Sequence, residues 1–258
     1  MAPPQKHVVF DVVGTCMSYD AIFDALDARL GDRLRAQCIK PKLLGYTWFE
    51  AAEREYTYLS ISGRYTRFYD VFSSLFYRIL WMAGVEEPRE FASDEDLAYI
   101  LAQFMKLEAR PGIAECFQLL RDNGFTVWAF TAGDVKRVRG YFLNNGIDMP
   151  EGNFMSCDSL KRGKPDPASY RPLLEKFGQE EAWFAAAHMW DVSAAKSTGC
   201  VHHFLFAIGR DVSTTTTRRL QCIPRILLTF TFLDTGSREL TALSGKRSLA
   251  RTCLGTWT

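Results

Sequence analysis

Much that would announce a specialised protein is missing from these 258 residues. Lysine plus arginine (31) nearly cancel aspartate plus glutamate (30), so a net charge of +1 offers no electrostatic footprint for nucleic acid or an anionic membrane. No run approaches the roughly 18–20 apolar residues of a membrane-spanning helix. The N-terminus carries a proline pair and a short strand-like run where a secretory leader would have an apolar core. Seven cysteines, at 16, 38, 116, 157, 200, 222 and 253, form no Cys-x-x-Cys pair and no Cys/His cluster at metal-ligand spacing. That argues against a disulfide framework and for reduced thiols inside the cell. The expectation is a soluble, cytoplasmic protein with no nucleic-acid or membrane partner.

What is present is ordinary globular material, 47% hydrophobic and 24% charged, and enough of it for one domain with a large insertion. Residues 7–10 (HVVF) read as a buried strand that delivers Asp11 to its C-terminal end and then turns at Gly14 and Thr15. From 20 to about 107 the signals are helical. The clearest apolar stripe runs from Phe68 to Leu80 and ends at Gly84, and Ser93 to Asp96 opens a further helix with capping chemistry. After Pro111 the pattern alternates: helix 113–122, strand 125–130, helix 135–144, a short strand at 154–155, helix 168–177 and strand 183–187. Alternation of this kind predicts parallel βαβ units, hence an α/β fold with a parallel sheet interrupted by some ninety helical residues. Residues 201–208 and 226–233 are candidate strands. The stretch 211–258 is atypical and expected to be poorly structured, with a run of threonines and seven Lys/Arg against three Asp/Glu.

Four fragments sit at or just after the C-terminal ends of predicted strands: Asp11-Val-Val-Gly-Thr15, Thr131-Ala-Gly, Lys164-Pro-Asp-Pro and Trp190-Asp191. In an open parallel sheet those ends line the ligand crevice. A nucleophilic aspartate needs a nearby cation to stay ionised, and Lys164 is the candidate. Thr131 offers a hydroxyl to the substrate or nucleophile, or else satisfies only its local backbone. Asp191 has three available roles: orienting Lys164, positioning a hydrolytic water, or sharing a cation with Asp11; it is also a candidate cap for a helix starting near Val192.

FDVVGT, FTAGD, GKPDPASY and HMWDVSAAKSTG, in that order, resemble the four motifs of the haloacid dehalogenase superfamily, and the helical insertion resembles its cap. The resemblance covers roughly residues 6–200. It implies a Rossmann-like core from 1–18 and 108–210 and a helical cap from 19–107. It further implies a hydrolase in which Asp11 forms a covalent aspartyl ester with a small-molecule substrate. Catalytic roles would fall to Asp11, Thr131, Lys164 and Asp191, and substrate contacts to Thr15, Lys40, Tyr46, Tyr170 and His188. The superfamily's phosphatases carry a second aspartate two residues after the nucleophile; here Val13 cannot transfer a proton. This is similar to the 2-haloacid dehalogenase branch, which needs no metal, and KPKLLGYTW at 40–48 resembles that branch's cap segment. Three departures stand out. The branch's cap arginine aligns with Lys40, its Ser-Asn pair with Thr131-Ala132, and its Ser-Ser-Asn with Ala186-Ala187-His188. Rival readings are a phosphate-ester hydrolase, with Mg²⁺ held by Asp11 and Asp191, and an accessory protein that keeps the fold without turnover. A homodimer is left open.

Overall fold

The computed structural model describes residues 5–178, 180–199 and 203–206. The candidate strand at 226–233 and the atypical stretch from 211 lie outside them. Strand β1 (Lys6–Asp11) leads into α1 (Asp20–Ala36), α2 (Pro41–Ile61), α3 (Phe68–Ser74), α4 (Phe76–Met82), α5 (Pro88–Phe91) and α6 (Asp94–Gln103). The chain then returns through α7 (Ile113–Asp122), β2 (Phe125–Thr131), α8 (Val135–Asn144), β3 (Phe154–Ser156) and α9 (Cys157–Leu160). It continues as α10 (Pro167–Phe177), β4 (Glu181–Ala186), α11 (Met189–Ser197) and β5 (His203–Phe206).

Among the described residues the five strands are all parallel, in the order β3-β2-β1-β4-β5. From β1 the chain builds outward through β2 to β3, then crosses back to β4 on the other side of β1 and continues outward to β5. The C-terminal end of β1 is therefore the switch point where such sheets form a ligand crevice. Alternate residues of β1 enter different layers: Val8 and Phe10 pack with the α7 side chains Ile113 and Phe117, while Val9 packs with Leu173 and Phe177 of α10. Burial on both faces explains why β1 and β2 read as unbroken apolar runs.

The helical insertion has an aromatic centre. Trp48 stacks on Phe72 with ring centroids 3.9 Å apart, and its indole N–H donates to the Phe72 carbonyl at 2.7 Å; Phe49, Phe68 and Phe104 close around them. The 68–80 stripe, expected as one helix, is two, joined at Leu75. Ser73 and Ser74 turn their hydroxyls back onto the carbonyls of Asp70 and Val71, competition that weakens a helix from within. The capping box expected at Ser93 is formed, and its Asp96 also receives Arg29 and Arg33 from α1. Where the chain leaves and re-enters the sheet domain its two passes lie side by side: Ser18 N–H donates to Glu108 O, and Arg110 N–H to Cys16 O, both at 2.8 Å.

Candidate active site

Asp11 ends β1 and Lys164 precedes α10, 153 residues apart in sequence, yet the Lys164 ammonium lies 3.0 Å from Asp11 Oδ1. It also donates to Asp191 Oδ2 at 2.7 Å and to the Phe130 carbonyl at 3.0 Å, so its three protons have three buried acceptors. The second Asp11 oxygen accepts the Thr15 hydroxyl at 2.6 Å, and Thr15 in turn accepts the Ala187 N–H at 2.9 Å. Tyr170 donates to the remaining oxygen of Asp191. Gly14, with φ +89°, makes the turn between Asp11 and Thr15; a Cβ there would fall 2.4 Å from the Tyr19 hydroxyl oxygen and 2.8 Å from His188 Cε1. The glycine of the first motif is thus required by both backbone and neighbours.

Burial alone would raise the Asp11 carboxyl, but the Lys164 ammonium, helped by His188 and Thr15, holds it well below the usual carboxylate range. Burial pushes Asp191 the other way, above its ordinary value, despite Lys164. Burial would lower Lys164, but Asp11 and Asp191 outweigh it and raise the ammonium. The assembly therefore presents a firmly ionised Asp11 with the shared cation behind it.

A cavity of ≈460 Å³ opens over Asp11. Of the nine residues expected from sequence, it is lined by Asp11, Thr131, Lys164 and His188. Thr131 lines it with a hydroxyl that already accepts the Gly133 N–H at 3.0 Å. The others are not brought to the wall. Thr15 and Tyr170, expected as substrate contacts, lie behind it and fix the oxygens of Asp11 and Asp191. Asp191, fully buried, also stays behind the wall, where it orients Lys164 rather than meeting a water in the cavity. It does not cap α11 either: that helix begins at Met189, with His188 at the N-cap and Asp191 inside the first turn. Lys40 is the exposed residue before α2, ten positions and about 15 Å of helix rise before the cavity-lining Glu50. Tyr46 is 44% exposed and packs on Phe23 and Tyr19, also outside the wall.

Four charged groups on the wall were not singled out by sequence reading: Glu50, Glu53 and Arg54 of α2 and Arg137 of α8. A carboxylate in register with the apolar face of an amphipathic helix, four residues after Phe49, was the available signal for Glu53. Nothing comparable marked Arg137. Burial raises Glu53 to about 7, against a smaller opposing pull from His188. His188 is itself raised to about 9, burial being outweighed by Asp11 and then Glu53. Its Nδ1 lies 3.6 Å from Asp11 Oδ2, too far for a hydrogen bond, and has no other partner among the described residues; the ring stacks on Trp190.

Each oxygen of Asp11 and Asp191 already accepts from Lys164, Thr15 or Tyr170, and the Lys164 ammonium sits between the two carboxylates. Among the described residues no group of three or more His, Cys, Asp or Glu is placed to hold a metal, and no helix is long and apolar enough to cross a membrane.

Comparison with known proteins gives the chain its family. A sequence model of the haloacid dehalogenase-like hydrolases matches residues 5–199. The chain is 21% identical over 200 residues to (S)-2-haloacid dehalogenase 1 of Pseudomonas sp. (strain CBS-3), covering 76% of this chain and 82% of that protein. It is 26% identical over 102 residues to (S)-2-haloacid dehalogenase 4A of Burkholderia cepacia, a match spanning 39% of this chain and less than half, 44%, of the relative. The fold superposes on L-2-haloacid dehalogenase from Xanthobacter autotrophicus, solved with chloropropionic acid covalently bound. That likeness has a TM-score of 0.61 at 22% identity over 81% of this chain and 79% of that one.

Proposed function

This chain belongs to the haloacid dehalogenase-like hydrolases, and on that premise we propose that it hydrolyses a small organic substrate through a covalent ester on Asp11. The observation that carries this reading is the state of Asp11: buried at the floor of a cavity, ionised, and fixed through both oxygens by Lys164 and Thr15. The carboxylate attacks a substrate carbon in line, and the leaving group departs with its electron pair. Val13 stands where a proton donor would assist an alkoxide, so the reading favours a leaving group that departs as a stable anion, as a halide does. The two relatives named as (S)-2-haloacid dehalogenases, and the neighbour with chloropropionic acid bound covalently, support that choice. The four described cysteines are free thiols, in keeping with a cytoplasmic enzyme.

Water then cleaves the ester at the Asp11 carbonyl carbon, and His188 is the group placed to take its proton. While Asp11 is charged it helps keep the imidazole protonated. Esterification removes that charge, and His188 becomes a base at the step that needs one. The imidazolium releases its proton to solvent once the ester has formed, takes one from the water, and passes it to the departing alkoxide; the second water proton, left on the Asp11 carboxyl, moves to His188 and restores the starting ion pair.

A panel of 2-haloacids, phosphate esters and carboxylic esters, run with and without Mg²⁺, tests the proposal by mass spectrometry of the Asp11 peptide. The expected result is a substrate-derived adduct without Mg²⁺, with heavy oxygen from labelled water entering Asp11 rather than the product in the first turnover. Phosphate release that depends on Mg²⁺, with no adduct from a haloacid, would overturn it.

The cavity charges also set a pH dependence. Glu53 gains a negative charge as pH rises through about 7, and His188 loses a positive one through about 9. For an anionic substrate such as 2-chloropropanoate, kcat/KM is expected to fall across each step, on the order of tenfold, since one charge at this range is worth about 1–2 kcal/mol. Glu53→Gln should remove the lower step and leave the upper; a profile of unchanged shape in that variant would refute the assignment.

A further inference from the structure

We propose that the substrate is an aromatic carboxylate, its anionic end held by Arg137 and its ring lying against the aromatic wall that the helical insertion contributes. The proposal rests on the hydrolase reading of the same cavity and names its ligand.

The volume and lining of the cavity come first. At ≈460 Å³ it lies within the range of about 300–1,000 Å³ that encloses drug-sized ligands. An acid of two or three carbons would leave most of it unfilled. Phe49, Tyr56, Phe68 and Phe104 form one connected group of rings on the wall: Phe68 is stacked with Phe49 and Phe104 at 6.5 and 6.2 Å, and Tyr56 meets Phe68 edge-on at 5.9 Å. Tyr19 joins them through Phe49 at 4.3 Å. Such a surface rewards a planar apolar body through area and ring geometry together.

Arg137 is built into this wall. Its guanidinium lies over the Phe104 ring at 4.6 Å and donates to the Tyr141 hydroxyl at 3.1 Å. Tyr141 donates onward to the Phe104 carbonyl, which fixes the whole relay. On its other side the guanidinium packs against Gly133, where a Cβ would lie 2.5 Å from Arg137 Nη2, so the glycine of the second motif makes room for it. Yet the side chain forms no ion pair among the described residues. An oriented, half-buried guanidinium facing a cavity without a carboxylate of its own is a site for one. Arg54, the other arginine on the wall, is about half exposed and lies 3.7 Å from Glu55.

The charges agree. Arg54, Arg137, Lys164 and protonated His188 face the carboxylates Asp11 and Glu50, while Glu53 is neutral below about 7. The excess is positive, which favours an anion. Lys40, the expected cap cation, cannot supply it from the far end of α2.

Calorimetric titration with 3-phenylpropanoate, its neutral analogue 3-phenylpropanamide and plain propanoate tests the assignment without turnover. 3-Phenylpropanoate should bind roughly 100-fold more tightly than propanoate. Arg137→Gln should weaken it roughly 10- to 100-fold while leaving the amide unchanged, which also shows that the cavity is intact. Equal binding of propanoate, or equal losses for acid and amide in the variant, would overturn the proposal. 2-Bromo-3-phenylpropanoate separates the two readings. Arg137-dependent binding with no adduct on Asp11 defeats the hydrolase reading and supports the ligand class; an adduct whose formation ignores Arg137 does the reverse.

Discussion

Asp11→Asn is expected to lower turnover by at least about 10⁴-fold, the scale on which enzymes lose activity when a covalent nucleophile is removed, and to cost the fold a modest part of its stability at neutral pH. The activity loss follows from chemistry: an amide nitrogen or oxygen held beside Lys164 is a poor nucleophile, and no ester can form for His188 and water to cleave. The stability argument comes from counting buried charge. Asp11 and Asp191 face the Lys164 ammonium, and protonated His188 stands beside Asp11 as a second cation, so the buried charges balance. Asparagine fills the same space, keeps an acceptor, and leaves Lys164 paired one-to-one with Asp191. It removes a carboxylate whose charged form the fold stabilises, as the depressed Asp11 carboxyl shows, so the melting temperature should fall by a few degrees at neutral pH, about 1 kcal/mol corresponding to some 2–4 °C at this size. Without the Asp11 charge, His188 also loses the main influence raising its pKa. Product assays and scanning calorimetry check both halves. Activity near wild type removes Asp11 from the mechanism, and a level or raised melting temperature means that the anion was not stabilising.

The parts of this arrangement that sequence could reveal are those tied to strand ends. Asp11, Thr131 and the Ala186-Ala187-His188 segment follow runs whose burial on both faces makes them legible as parallel strands, and in that topology strand ends meet. Lys164 was legible by its place in an ordered set of motifs. Depth was not legible. Thr15, Tyr170 and Asp191 have the right chemistry and stand next to the site, but one layer behind the cavity wall; only packing decides whether a hydroxyl faces substrate or a neighbouring carboxylate.

Helices in the insertion hid more. Lys40 and Tyr46 belong to the segment that resembles the relatives' cap, yet α2 begins at Pro41, and the turns that cover the cavity are those from Phe49 to Tyr58. A helix displaces its contacts by 1.5 Å for every residue, so an alignment correct in sequence still misses the wall by several turns. Arg137 lay beyond reach for a different reason. Its role depends on Phe104, Tyr141 and Gly133 meeting around one guanidinium, a three-way contact with no periodicity of its own. The division at Leu75 is the same kind of miss, because hydrophobic spacing continues through a break that serine side chains make in the backbone.

Replacing the shared cation should be the most damaging single change to the fold. Lys164→Met keeps the length and apolar stem but leaves Asp11 and Asp191, both buried, facing each other without an ammonium, and strips the Phe130 carbonyl of its donor. Removing one side of a buried ion cluster costs about 3–5 kcal/mol, or roughly 10 °C in melting temperature at this chain length, and activity should disappear with the ionised nucleophile. Lys164→Arg should not rescue it, because a planar fork cannot occupy a pocket in which the lysine is 2% exposed and its three acceptors surround a point. The pH dependence gives the test its edge. In the wild type the folded Asp11 carboxyl is depressed, so its contribution is present above the unfolded value and is lost as pH falls through the folded one. In Lys164→Met one carboxyl of the pair must be raised above its unfolded value of about 3.9, so the variant gains stability as pH falls and loses it as pH rises. Melting curves at pH 5 and pH 8 should therefore show a much smaller penalty at the lower pH. An equal penalty at both would mean that the lysine stabilises through packing alone, and that Asp11 and Asp191 are not the charges it holds apart.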